Sequence, residues 1–149
     1  LIGLFNIFGA LWAGAICRKH SRSMLLVGIY AGRTIAITLF LITPVSLVSV
    51  LIFSAVMGLL WLATVPPTSG LVMSMFGTRY MATLYGFVFF SHQLGSFSGV
   101  WLGGWLYESF GSYDMIWWAG IFFGLLAVVL HWPIDERPHP DFIKTEPVK

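Results

Sequence analysis

Charge is what this chain has least of. Charged residues make up 9% of its 149 positions, against roughly 25% in a soluble domain, and that shortage excludes a solvated globular surface. Cysteine is scarcer still. The single Cys17 rules out an internal disulfide framework and a CxxC metal site, so no metal or other cofactor is expected. What fills the chain instead is oil-like: 58% of residues are hydrophobic and 17% aromatic. The reading is an all-α integral membrane protein. At about 20 apolar residues per crossing, there is room for about five transmembrane helices.

The apolar runs divide at polar turns and prolines. Expected spans cover about residues 1–16, 24–42, 45–65, 81–106 and 115–132, and 134–149 form a polar, Pro-rich, mixed-charge tail expected to be disordered. The first run, "LIGLFNIFGALWAG", has neither an initiator Met nor a basic region ahead of it. It reads as begun inside a hydrophobic span, with more protein upstream. Pro44 stops the second run because it has no amide hydrogen to continue a helix. Pro66 and Pro67 interrupt the third, where a long, kinked helix is expected; the break is a candidate hinge.

Arg18, Lys19, Arg22 and Arg79 fall in the turns after the first and third runs, whereas the turns after the second and fourth carry Glu108 and Asp114 and no Lys or Arg. By the positive-inside rule the basic turns and the C-terminus are cytoplasmic. Arg18, Lys19 and Arg22, in "CRKHSRS", are candidates for a gate that pairs with helix ends or for an anchor to lipid headgroups. Trp12, Trp101, Trp105, Trp117, Trp118 and Trp132 lie towards span ends, where indoles prefer the interface.

Four polar side chains sit too deep for lipid. His92 and Gln93 lie about eleven residues into the fourth run, roughly 16 Å along a helix rising 1.5 Å per residue. Arg33 lies well inside the second, where an arginine costs about 2.5–3.5 kcal/mol on the lenient insertion scale. Asn6 is a weaker candidate in the first. Each needs a partner on a neighbouring helix or a wet cavity, so all four are candidates for binding a solute or, for His92, for exchanging a proton near neutral pH. Gly95, Gly99 and Gly103 follow at four-residue spacing. Such a row lets helices approach closely, which lipid does not otherwise drive.

With these features the chain resembles the C-terminal half of a major facilitator superfamily transporter, roughly its eighth to twelfth spans. "GALWAGAICRKHSRSMLL" stands where that family has a G-x-x-x-D-R-x-G-R-R type loop. "LLWLATVPPTSGLVMSMFGTRYMATLYG" is similar to a tenth span with its basic loop, and "FFSHQLGSFSGVWLGGWLYESFGSYDMIWW" to the eleventh and twelfth. The last two look most like a bacterial monocarboxylate-porter-like branch. The loop departs from the pattern: if Gly14 is its glycine, Arg18 occupies the acidic place and Ser21 the later glycine, while Lys19 and Arg22 keep basic positions.

The resemblance implies most of a C-terminal six-helix bundle that rocks against an N-terminal half lying upstream. It implies secondary active transport of a small solute, an organic anion such as a monocarboxylate being the first choice, by alternating access with ion or proton coupling. A symporter is therefore expected, and no nucleic-acid partner. It places His92 and Gln93 in or beside the cavity and Arg33 at the bundle's outer side. Two other classes compete. A non-transporting membrane scaffold would use the same glycine rows. "SHQLGSFSG" with Ser69 resembles rhomboid intramembrane proteases locally, but no glycine stands two places before Ser69, and 23 positions are too few for the span those enzymes place between serine and histidine.

Overall fold

The computed structural model describes residues 1–138; the end of the expected tail, 139–149, lies outside the described residues. Six α-helices follow one another: α1 (Ile2–Ile16), α2 (Arg22–Ile42), α3 (Leu47–Trp61), α4 (Val65–Phe76), α5 (Met81–Phe110) and α6 (Asp114–His131). A 3₁₀ turn, Leu62–Thr64, joins α3 to α4. No strand is present among the described residues. The chain is all-helical, as its composition predicts.

Arg22–Ile42, Leu47–Phe76 taken as one, and Asp114–His131 are long and apolar enough to cross a membrane, and Ile2–Ile16 is a shorter apolar helix. At 30 residues α5 is the longest single helix. It is not one of the three, because His92, Gln93 and its glycines and serines dilute its hydropathy.

The helix ends follow local chemistry. Thr43, ahead of Pro44, is extended at φ −91° and ψ 144°, as the proline ring demands of its predecessor. Ser46 and Ser49 then form a reciprocal capping box at the start of α3, with the Ser49 amide donating to Ser46 Oγ at 3.1 Å and the Ser46 amide to Ser49 Oγ at 2.8 Å. Two of the four orphan donors of that helix are thereby satisfied.

Helix resumes at Val65 and runs past the prolines to Phe76, a long run with one break in it. Pro66 and Pro67 stand in the first turn of α4, where a missing amide hydrogen matters least. Their effect appears one turn upstream: the carbonyls of Leu62 and Ala63 lose their i+4 donors, and the backbone tightens into 3₁₀ geometry, with the Val65 amide donating to the Leu62 carbonyl.

The chain divides into two compact units. The first comprises Leu1–Leu71 and Gly120–Glu136. Its core is Ala13, Ile29 and Ala63, with Leu25 and Leu60 packed against them. The main crossing, α1 on α3, is backbone against backbone. A Cβ on Gly9 would collide with the Leu59 carbonyl, and one on Gly58 would come within 2.7 Å of the Ile2 carbonyl. Farther along, Phe40 of α2 stacks on Phe53 of α3 with centroids 4.3 Å apart.

The second unit comprises Val72–Ala119 and, of the described residues beyond α6, 137 and 138. Gly111, at φ +70°, closes α5 in the left-handed conformation that only glycine adopts without strain. Beside it Tyr107 and Tyr113 stack at 4.4 Å, and Ser112 Oγ accepts the Asp114 amide at 3.0 Å to open α6.

Candidate functional site

Arg33 stands on α2 about sixteen ångströms along the helix from Arg22, at 1.5 Å per residue. Its guanidinium carbon lies 4.9 Å from the ring centre of Trp61, on α3, and 5.8 Å from that of Tyr30, one turn earlier on α2. Each such contact contributes about 0.5–2 kcal/mol, the upper end applying when both groups are desolvated. Two of them offset much of the insertion cost of about 3 kcal/mol. Tyr30 in turn packs on His131 at 5.1 Å, so Trp61, Arg33, Tyr30 and His131 form one aromatic and cationic ladder. His131 Nδ1 lies 2.7 Å from the Ala127 carbonyl.

Arg33 also borders a cavity of 240 Å³ between α2 and α6. Tyr30, Thr34 and Ile37 form its α2 wall, and Gly120, Phe123 and Gly124 its α6 wall. The helices meet tightly at its edge: Thr34 Oγ1 presses against the place where Gly124 would carry a Cβ. Spacing alone did not single out these two glycines, because the pairing of α2 with α6 joins residues some ninety positions apart, nor Trp61, which reaches Arg33 only because α3 lies beside α2.

Asn6 has a structural duty. Its Oδ1 accepts the amide hydrogen of Leu62 at 3.3 Å, at the start of the 3₁₀ turn where the helix ladder is disturbed. The polar residue in α1 and the prolines beyond α3 are parts of one feature. Pro67 is among the most deeply buried residues of the chain.

Arg22 is the first residue of α2 and is tied down. It pairs with Glu136 at 3.5 Å, and its Nε lies 2.9 Å from where a Cβ on Gly70 would stand. Glu136 also accepts from the Ser23 amide at 2.8 Å and from the Ser21 hydroxyl. Ser21 Oγ meanwhile accepts the Met24 amide at 3.1 Å, and the Ser23 hydroxyl donates to the His131 carbonyl. An acid from beyond α6 thus helps cap α2, where the helix dipole favours a negative charge. Partial burial pushes the Glu136 carboxyl up, but the Ser21 and Ser23 hydrogen bonds and Arg22 outweigh it and hold the carboxyl below its ordinary range. The acid that meets the "CRKHSRS" turn comes from more than a hundred positions away, which no local reading of that turn could reveal. Arg18 and Lys19 of the same turn are exposed. Burial, opposed by Arg22, raises the Cys17 thiol above its usual range.

The second unit shows the opposite pattern. His92 and Gln93 are both exposed on α5, with Phe89 6.1 Å from the His92 ring. Of the glycine row, Gly103 is buried, with Ile116 Cδ1 3.7 Å from where its Cβ would stand, whereas Gly95 and Gly99 meet nothing within 4 Å among the described residues. The expected packing role has a partner at one of the three positions. Ser69, in the first unit, donates its hydroxyl to the Pro66 carbonyl at 3.1 Å. No cluster of metal-ligating side chains occurs among the described residues.

Comparison with family models matches residues 1–148 to the Major Facilitator Superfamily. No curated protein and no solved structure matches the chain.

Proposed function

The chain belongs to the Major Facilitator Superfamily, and from that premise we propose that it moves a small organic anion, a monocarboxylate by first choice, through secondary active transport. The observation that carries the reading is the position of His92 and Gln93 midway along α5, in a helix whose flanks are Phe, Leu, Val and Trp. A polar side chain at that depth needs water or a partner. Asn6 has found a backbone partner inside the chain, whereas the α5 pair is left facing outward. A water-filled path shared with other helices of the transporter satisfies them.

In this reading α1 and α5 cross the membrane along with the three more apolar spans. The basic turn and the C-terminus face the cytoplasm of a bacterium, and an N-terminal half completes the path. His92 exchanges the coupling proton, and Gln93, about 100° further round the helix, borders the path. Arg18 and Lys19 meet anionic headgroups or the other half, and the 3₁₀ turn at Pro66 and Pro67 is where α3 and α4 bend during alternating access. The monocarboxylate choice draws on the likeness of the "SHQLGSFSGVWLGGWLYESFGSYD" stretch to that branch of the family.

The test is uptake by the purified protein in liposomes with an imposed pH gradient, across a panel of monocarboxylates. Uptake that follows the gradient and saturates supports the reading. Uptake indifferent to pH removes the coupling, and no uptake across the panel removes the substrate class as well.

A further inference from the structure

We infer that the in-plane edge of Arg33 is a carboxylate receptor opening on the cavity between α2 and α6. Trp61 and Tyr30 occupy the neighbourhood of the guanidinium as cation–π partners, at 4.9 and 5.8 Å. Such contacts use the positive charge and leave the N–H groups, which point outward in the plane, without acceptors. Among the described residues no carboxylate pairs with Arg33 and no protein acceptor takes its hydrogen bonds. Thr34, on the same wall, turns its hydroxyl to donate to the Tyr30 carbonyl at 2.9 Å.

A guanidinium with its face covered and its edge free is shaped for one ligand group. Two parallel N–H donors match the two oxygens of a carboxylate, and the pairing is strongest where water is excluded. The cavity has room for more than the carboxylate. Its 240 Å³ corresponds to about eight water shares of 30 Å³, and the wall opposite Arg33 is Phe123 with the bare backbone of Gly120 and Gly124. That wall suits a short hydrocarbon skeleton. The geometry thus calls for a small monocarboxylate: one bidentate headgroup and a few carbons. A carboxylate side chain from another segment of the transporter has the same headgroup chemistry, and the experiment separates the two sources. The inference rests on the transport reading only in taking a solute as that source. It does not involve His92.

Trp61 supplies a reporter. The intrinsic fluorescence of the full-length transporter in detergent is titrated with acetate, butyrate and hexanoate, and in parallel with the neutral amides of the same skeletons. The expected result is a saturable change with the acids and none with the amides. Arg33→Gln raises the half-saturating concentration at least tenfold, and Trp61→Phe removes the signal while radiolabelled butyrate still binds. Should Arg33→Gln fail to fold, Arg33→Lys answers instead: it keeps the charge, loses the fork, and weakens binding several-fold.

Equal responses to acids and amides, or an unchanged titration in the Arg33 variants, overturn the proposal. So does a wild-type protein blind to every acid whose Arg33→Gln variant melts far lower, because the carboxylate is then a side chain of the protein. Carboxylate binding without pH-driven uptake sinks the coupling assigned to His92 and leaves this site standing. Uptake that follows the pH gradient and survives Arg33→Gln unchanged does the reverse.

Discussion

The α1–α3 crossing and the α5 helix are built from similar residues and use them differently. Both carry glycines, and both carry a carboxamide inside an apolar run. At the crossing, Gly9 and Gly58 bring backbone onto backbone, and Asn6 accepts the Leu62 amide at the start of the 3₁₀ turn. On α5, Gly95 and Gly99 meet nothing within 4 Å among the described residues, and His92 and Gln93 are exposed. The lesson is that a small or polar residue in a membrane helix has no role of its own. Its neighbour assigns one. Where the neighbour is a helix of the same unit the residue is structural, and where none stands opposite, it is available for water, solute or another segment.

Substitutions can break or sharpen that contrast. Gly9→Val should have the largest effect, since its side chain enters the Leu59 carbonyl, which cannot retreat without moving α3. A loss of about 3 kcal/mol is expected, at the upper end for overpacking, read as a fall in the melting temperature of the purified protein. Asn6→Ala should come next. It leaves the Leu62 amide without its acceptor and should lower stability by about 1–3 kcal/mol. Gln93→Ala, by contrast, should leave the melting temperature where it was; a matching loss at Gln93 would mean that α5 is as structural as α1.

His92→Gln should abolish the response of uptake to an imposed pH gradient, a fall of at least tenfold or about 1.4 kcal/mol in driving terms, with no change in melting. If melting falls with uptake, the imidazole is a packing group. Glu136→Gln is expected to remove about 1 kcal/mol by weakening the cap and the Arg22 pair, a modest figure because the site is partly solvated. The sign with pH follows from a carboxyl held below its ordinary value. The wild type keeps this contribution above the unfolded value of about 4.3 and loses it as pH falls through the lower folded value. The Gln variant should show no such acid-side decline, which pH-dependent melting of both proteins will check. Gly99→Ala should also do little, shifting stability by no more than about 0.5 kcal/mol, and upward if at all, since alanine is the better helix former. A clear loss would show that the glycine row is an interface after all.

Much of this was legible in the residue order. Helices over each apolar run, the stop at Pro44 and the disturbance around Pro66 and Pro67 follow from hydropathy and from the missing amide hydrogen of proline. The depth of Arg33 and His92 was equally plain, because 1.5 Å per residue is a ruler that needs no structure. The site's surroundings were not. Glu136 lies more than a hundred positions from Ser21 and Ser23, and Trp61 comes within reach of Arg33 only because α2 lies beside α3. The glycine row at residues 95, 99 and 103 was the conspicuous one. The glycines at 9 and 58, which no local spacing joins, are the ones that meet backbone.

The amino-acid order alone determined that this chain is helical and lives in a membrane, since so few charges cannot hold such a surface in water and only internally bonded helices satisfy the backbone in lipid. It also determined which side chains would be anomalous there. Tertiary structure decided what each anomaly means, because the energy of a polar group in hydrocarbon depends on the atom facing it, and that atom comes from a distant part of the chain. Asn6 met an amide, Arg22 an acid and Arg33 two aromatic rings, while His92 was left exposed.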